Sequence, residues 1–454
     1  MKHTEEGNGR QRAQFATRIG VVATAVGSAV GLGNIWRFPY EAGSHGGGAF
    51  MLCYLFFIFV LGIPVIIAEF VMGRSTRANE IKAFQRLAPG KKWYLTGYIG
   101  LLASLLILSF YSVVAGWTME YFFLSAFGTM PSETEGIHNH FAGFITGDVR
   151  PLVWTLVFLA INYAVVVRGV QKGIEWLSNL LMPMLFFLLI VFCINSLMLP
   201  GASDGLKFLF SPDFSKIDSS TLLGAMGQAF FSLSLGLGCM MTYGSYFPKS
   251  THLGRSATTT ALLDTLVAVL AGIIIFPAVF TYGISPQSGP TLVFETLPAI
   301  FINLPGGIVW SSMFFFLLFL ASITSTISMS EISIVYFVEE KGMTRRGATM
   351  LTIGIAMVFG SLCALSFGSL SGWTICGLTV FDLFDYLSSN ICLPLGGMLT
   401  SFFVGWVMDR KIVRCELTNG GSFRFRMLGA VVFLLKYVAP VAIALIFLHA
   451  LGVI

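Results

Sequence analysis

Eleven stretches of about 20 or more mostly apolar residues follow one another along the chain, each long enough to carry a helix across the hydrocarbon core of a bilayer. They lie near 18–40, 47–73, 94–125, 151–168, 174–200, 220–247, 255–282, 304–338, 347–368, 372–408 and 427–453. In lipid the backbone finds no water, so a spanning segment must satisfy its own N–H and C=O groups as a helix. Composition agrees. Only 11% of the 454 residues are charged and 56% are hydrophobic, against about 25% charged in a soluble domain. The expected class is an all-α polytopic membrane protein. The first apolar run continues past the length of a secretion leader's core and reads as a span. The seven cysteines fall nearly all inside apolar runs and read as packing residues without disulfides. The six histidines show no metal-ligand spacing.

Basic residues set the orientation. If the N-terminus is cytoplasmic, the tail and loops on that side hold 22 of the 27 Lys and Arg residues. They are Lys2 to Arg18, Arg74 to Lys92, Arg168 and Lys172, Lys249 and Arg255, Lys341 to Arg346, and Arg410 to Arg426. Arg37, Arg150, Lys207 and Lys216 fall on the other side, and Lys436 lies in the last span. The opposite orientation would violate the positive-inside rule. The C-terminus is then extracellular. Basic residues spread over loops in this way, with a net charge of +5, argue against nucleic acid as a partner. Of the two long outer segments, 126–150 and 283–304, the second contains SPQSGPTLVFETLPAIF and reads as a folded cap.

Two spans carry helix-breaking signals. The first, RIGVVATAVGSAVGLGNIWRFPY, places Gly27, Gly31 and Gly33 within seven residues, followed by Asn34. The sixth, AFFSLSLGLGCMMTYGSY, repeats the theme: Val30-Gly31-Leu32-Gly33 is echoed by Leu235-Gly236-Leu237-Gly238. Five spans separate the two, so a second copy of a five-helix unit would enter the membrane upside down. Inverted repeats with broken helices are a pattern of secondary transporters; chance recurrence of G-x-G is the alternative at this point. In the fifth span Gly173 and Pro183 mark a weak turn, because proline removes a helical hydrogen bond.

The segment RIGVVATAVGSAVGLGNIWRFPYEAGSHGGGAF resembles the first-helix signature of the neurotransmitter:sodium symporter family, NIWRFP and GGGAF most specifically. The likeness continues through GQAFFSLSLGLG, FLASITSTIS and FDLFDY and covers essentially the whole chain. It implies a LeuT fold: two inverted five-helix repeats with discontinuous helices 1 and 6, plus an eleventh helix. The implied organisation is an N-terminal tail over 1–17, a first repeat over 18–200, an outer connection over 201–219, a second repeat over 220–408, a loop over 409–426 and the last helix over 427–454. The implied activity is Na+-coupled symport of hydrophobic L-amino acids across a bacterial cytoplasmic membrane, with two Na+ ions. Relatives often have twelve spans; eleven here leave a dimer by analogy unsupported and the oligomeric state open.

The resemblance also implies site residues. One sodium site would use Ala29, Asn34, Ser232 and Asp264, completed by the substrate carboxylate. A second would use the carbonyls of Gly27, Val30 and Ala321 with the hydroxyls of Thr324 and Ser325. Alone, those hydroxyls read as ordinary back-bonding within a helix; beside the Gly27 break they read as ion ligands. Asp264 is the most informative residue, because an ionisable group inside a span is a functional candidate by default. Relatives usually carry Asn there. Tyr54, Gln228 and Ser232 match three chloride-site positions of chloride-dependent relatives, whereas the fourth is Ala268. The Asp264 carboxylate is therefore expected to supply the negative charge and make transport independent of chloride.

Gly31 stands where monoamine carriers have Asp, so the resemblance implies an α-amino acid whose carboxylate approaches sodium and bonds Tyr111. The implied substrate contacts are Ala29, Gly31, Leu32, Gly33, Ile107, Tyr111, Phe231, Ser232, Ser234, Leu235, Gly236, Leu237, Thr324, Ser328 and Met329. None of these side chains is charged, which disfavours charged side chains on the substrate. Leu237 in place of a phenylalanine, with adaptable Met329, implies room for aromatic rings. An outer gate of Arg37, Asp385 and the Phe231 lid is implied, as is an inner gate of Arg12, Phe15, Tyr246 and Glu339. Glu69 is expected to brace the unwound part of the first helix. A channel, a non-transporting amino acid sensor and a carrier of another amine or osmolyte are the rival readings. An intramembrane enzyme would need a nucleophile–base or metal set, and no HExxH occurs.

Overall fold

The computed structural model describes residues 14–131, 133–283, 293–302 and 305–450. Arg12 of the expected inner gate and the SPQSG part of the outer cap lie outside these residues. Among them, nine continuous helices are long and apolar enough to cross a bilayer: Gly48–Thr76, Tyr94–Ala126, Val149–Val166, Val170–Leu197, Leu253–Thr281, Gly307–Glu340, Arg345–Leu365, Val380–Val407 and Leu428–Leu448. A tenth crossing is broken: Arg18–Ala29 and Gly33–Ser44 meet at a bend of 52°. The eleventh is also broken, into Ser219–Ser232 and Cys239–Gly244. Its first piece packs on Gly48–Phe57 and its second on Ile63–Thr76, so together they run the length of the second span. Eleven crossings result, numbered first to eleventh in chain order below.

The packing has an internal symmetry. Both halves of the broken first span lie along the seventh, and both halves of the broken sixth lie along the second. The third and eighth spans pack against each other along much of their length. Each partner of one set is five spans from its counterpart, which is the relation the sequence echo predicts for an inverted repeat. Residues buried by this packing form one continuous apolar core that runs through both halves.

The breaks have local causes. In the sixth span Ser234, Gly236 and Gly238 all have positive φ, at 52°, 78° and 80°. A right-handed helix cannot pass through three such residues in five, and glycine accepts that region without a Cβ penalty. In the first span the helix stops at Val30, whose ψ of 119° is extended. The chain resumes with a wide turn over Gly33–Arg37, where Phe38 N–H bonds back to the Gly33 carbonyl. The fifth span stays helical through Gly173, in a wide turn over Val170–Glu175, and through Pro183.

Connections are structured as well. Residues 293–302 carry Phe294 and the helix Thr296–Ile302. Phe294 is buried against Trp117, Tyr121, Phe141 and Phe315, as a folded cap requires. The expected tenth span begins later than its apolar run: 366–379 are turns with one bridge between Ile375 and Leu378. Five cysteines are buried and Cys376 and Cys415 are exposed, all as free thiols.

A candidate ion and substrate site between the broken helices

The freed backbone of the first span is satisfied by Asn34 of the same span and by side chains from other helices. A continued helix would give the Gly31 N–H to Gly27; here it donates to Asn34 Oδ1 at 3.0 Å. The Leu32 N–H donates to the Tyr111 hydroxyl at 2.8 Å. Ser325 Oγ donates to the Val30 carbonyl at 3.0 Å, and Gln228 Nε2 to the Gly33 carbonyl at 3.0 Å. The break is thus built by the third, sixth and eighth spans together.

Asp264 is fully buried in the seventh span beside this break. Its Oδ1 accepts from Asn34 Nδ2 at 2.8 Å, and its Oδ2 from Ser232 Oγ at 2.6 Å. Asn34 Nδ2 also lies 2.9 Å from Ser232 Oγ, and Tyr54 OH is 3.4 Å from that oxygen. Asn34, Ser232 and Asp264, named from the resemblance, therefore meet in one hydrogen-bonded cluster, in which Asn34 turns its amide nitrogen to the other two and its Oδ1 to the Gly31 N–H, with Ala29 on the wall of the adjoining cavity. Tyr54 and Gln228 border it, and Ala268 is buried one turn further along the seventh span. The second group meets where the first span crosses the eighth. Thr324 Cβ lies 3.5 Å from where a Cβ on Gly27 would be. Thr324 Oγ1 bonds the Ala321 carbonyl at 3.1 Å, and Ser325 reaches Val30. Carbonyl, hydroxyl and carboxylate oxygens are the hard donors that an alkali cation takes.

Next to both groups lies a small cavity of about 30 Å³, far below the roughly 300–1,000 Å³ of small-molecule sites, so its lining side chains must move apart to admit an amino acid. Ala29, Gly31, Gly33, Ile107, Tyr111, Phe231, Ser232, Ser234, Leu237 and Met329 line it, as the resemblance implies. Ser325 and Leu393 join them. Leu393 comes from the tenth span, where nothing in the sequence sets one leucine apart from its neighbours. Five implied contacts face elsewhere. Gly236 packs against the backbone of Gly397, and Thr324 turns to the first span. Ser328 takes a hydrogen bond from the Tyr243 hydroxyl at 2.8 Å. Leu32 and Leu235 are buried and do not line the cavity.

Two further expectations change. Glu69 braces the sixth span and not the first: Oε1 accepts from Gly236 N–H at 2.9 Å and Oε2 from Met241 N–H at 3.2 Å. The reason is the packing of the second span along the sixth. Arg37 and Asp385 do not form the expected direct pair among the described contacts. Arg37 Nε lies 3.4 Å from Glu41 and its guanidinium is 4.5 Å from the Phe231 ring centroid, while Asp385 accepts from Ser389. At the face where basic loops gather, Phe15 packs edge-on against Tyr243 and Tyr246, and Glu339 accepts from Asn79. The Tyr246 hydroxyl donates to Glu331 Oε1 at 2.6 Å. Glu331 is fully buried and is clasped by Arg345 through two bonds of 3.0 and 2.6 Å. Glu331 was missed, although it stands out in ISMSEISIVYF by the same criterion that singled out Asp264.

Comparison with known proteins decides the family. The model of the sodium:neurotransmitter symporter family matches residues 12–143 and 144–453. The chain belongs to this family. It is accordingly a sodium-coupled symporter with many membrane-crossing helices. A Bacillus subtilis sodium-dependent transporter of uncharacterised substrate, YhdH, is 41% identical over 443 residues, covering 97% of this chain and 98% of the relative. A Haemophilus influenzae sodium-dependent transporter, also uncharacterised, is 37% identical over 98% of this chain and 99% of its own. The crystal structure of MhsT in complex with L-phenylalanine superposes with a TM-score of 0.90 at 43% identity, covering 97% of this chain and all of that one. That likeness identifies the architecture as the LeuT fold.

Proposed function

We propose that this symporter takes up hydrophobic and aromatic L-amino acids, two sodium ions with each, by alternating access and without chloride. The carrying observation is at Gly31. A Cβ there would sit 2.6 Å from Ser325 Oγ and 2.8 Å from the Tyr111 hydroxyl, so the backbone must be bare to approach both. No side-chain charge can stand at this point. A substrate amine would find no partner here, whereas a substrate carboxylate can face the sodium ligands Asn34 and Asp264 and the Tyr111 hydroxyl. That hydroxyl accepts from Leu32 and keeps its own hydrogen to donate. Beyond it, Ile107, Phe231, Leu237, Met329 and Leu393 offer an apolar wall. The bound L-phenylalanine of MhsT supports the same substrate class. The positive-inside pattern supports a cytoplasmic N-terminus and inward transport across a bacterial cytoplasmic membrane.

Two ions suit the work. One sodium crossing about 100 mV contributes about 2.3 kcal/mol, and a tenfold gradient adds about 1.4 kcal/mol. Two then supply roughly 7 kcal/mol, enough for a concentration ratio near 10⁵.

The test is uptake of labelled tryptophan into proteoliposomes under an inward gradient of sodium or of potassium. Sodium-dependent accumulation, unchanged when gluconate replaces chloride, is the expected result. Collapse in gluconate would overturn the role given to Asp264. Binding without accumulation would indicate a sensor, and sodium-driven uptake of another solute alone would overturn the pocket reading. Gly31→Ala overfills the approach, at about 1–3 kcal/mol. Sodium-dependent tryptophan binding is expected to weaken by roughly 5- to 150-fold; unaltered affinity would remove Gly31 from the site.

A further inference from the structure

A second buried carboxyl lies outside the site described above. Glu80 opens the short helix Glu80–Leu87 that joins the second and third spans, and it is 4% exposed. Its carboxylate fits beneath the turn of the sixth span: a Cβ on Gly238 would overlap it, and so would one on Gly100 of the third span. Oε2 is buried and has no hydrogen-bond partner among the described residues.

Among the described residues, the surroundings offer it no cation. From the second span comes Glu69, a like charge, and from the sixth comes the Cys239 thiol. The third span contributes Gly100, and its Tyr98 ring faces Tyr336 of the eighth span. The tenth span contributes Phe403, packed on Phe84. On the Glu80 helix itself Lys82 is paired with Glu340 of the eighth span, Arg86 donates to the Thr76 carbonyl, and Glu339 is held by Asn79. Burial, and secondarily the charge of Glu69, push the Glu80 carboxyl well above the ordinary carboxylate range.

We propose that Glu80 is a proton-binding site, separate from the Asp264 cluster, that is loaded while the turn around Gly238 is sealed over it and emptied when that turn opens. An ionised carboxylate sealed here without a partner would be costly. Neutral, it seats under Gly238. When the basic-face half of the sixth span moves and water enters, the O–H bond breaks, the proton passes to water and a hydrated carboxylate remains. Between the ordinary carboxylate pKa of the open form and the raised value of the sealed form, rising pH therefore favours opening, by up to about tenfold per pH unit for one proton. The proposal deepens the transport reading, since alternating access requires that half of the sixth span to move.

The experiment is hydrogen exchange of residues 236–244 in the full-length protein, without amino acid, at acidic and alkaline pH and corrected for the intrinsic chemical rate. In the wild type, protection is expected to fall several-fold as pH rises. Glu80→Gln, which mimics the neutral form, is expected to keep high protection at both pH values. Glu80→Asp, which can still titrate, is expected to retain the dependence. Protection equal at both pH values in the wild type, or a wild-type pH dependence kept in Glu80→Gln, would overturn the proposal. Because no amino acid is present, failed tryptophan uptake alongside the expected exchange pattern would count against the transport reading alone.

Discussion

Sodium-driven uptake by an Asp264→Asn variant is expected to fall at least about a hundredfold in chloride-free medium, with partial recovery when chloride is added. Asp264 is buried and both carboxylate oxygens are engaged, by Asn34 and Ser232. Removing one partner of a buried charged set costs about 3–5 kcal/mol, and each 1.4 kcal/mol is about tenfold. On the proposed reading, the variant also removes the negative charge offered to the cation. Tyr54 and Ser232 offer hydroxyl donors where an anion could restore it, and Gln228 offers its amide N–H groups beside them, one of them bonded to the Gly33 carbonyl. Recovery should be incomplete, because Ala268 offers no hydroxyl. Uptake assays at matched sodium with chloride or gluconate give the answer. Undiminished chloride-free uptake by the variant would remove Asp264 from the ion site.

Glu331→Ala should produce the largest loss of stability. Its carboxylate is fully buried and holds two Arg345 bonds and the Tyr246 hydroxyl. Truncation leaves the guanidinium without its bidentate partner, at about 3–5 kcal/mol. Glu331→Gln keeps an acceptor for Tyr246 and one for Arg345, so its loss should be nearer the roughly 1.5–3 kcal/mol of a charged hydrogen bond. Thermal unfolding of purified protein in detergent should rank wild type above Gln above Ala. Equal midpoints for wild type and Ala would show that the cluster contributes nothing to the sealed state.

Much of the architecture was legible because its signals are local. A window of about 20 apolar residues states its own need for lipid. Gly31, Gly33 and Asn34 within four positions, echoed at Gly236 and Gly238, state that a helix cannot continue there. Asp264 stands out because a lone carboxyl in an apolar run must be there for a reason. Motif resemblance then named most of the cavity wall. Leu32, Leu235, Gly236, Thr324 and Ser328, also implied, do not line the cavity; in an unwound segment the direction of each residue depends on its own φ.

By itself, then, the sequence determined the number of crossings, the two breaks, the family signature and the lone carboxylate, all of which depend on spacings within a single helix. Only the tertiary structure decided which break Glu69 supports, that Leu393 closes the cavity, that Glu331 and Arg345 clasp each other under Tyr246, and that Glu80 lies beneath Gly238. Glu69 and Gly236 are 167 residues apart in the chain, and Tyr246 and Glu331 are 85 apart. Such contacts follow from which helices lie side by side, and that is set by packing of whole faces. No short window of residues encodes it.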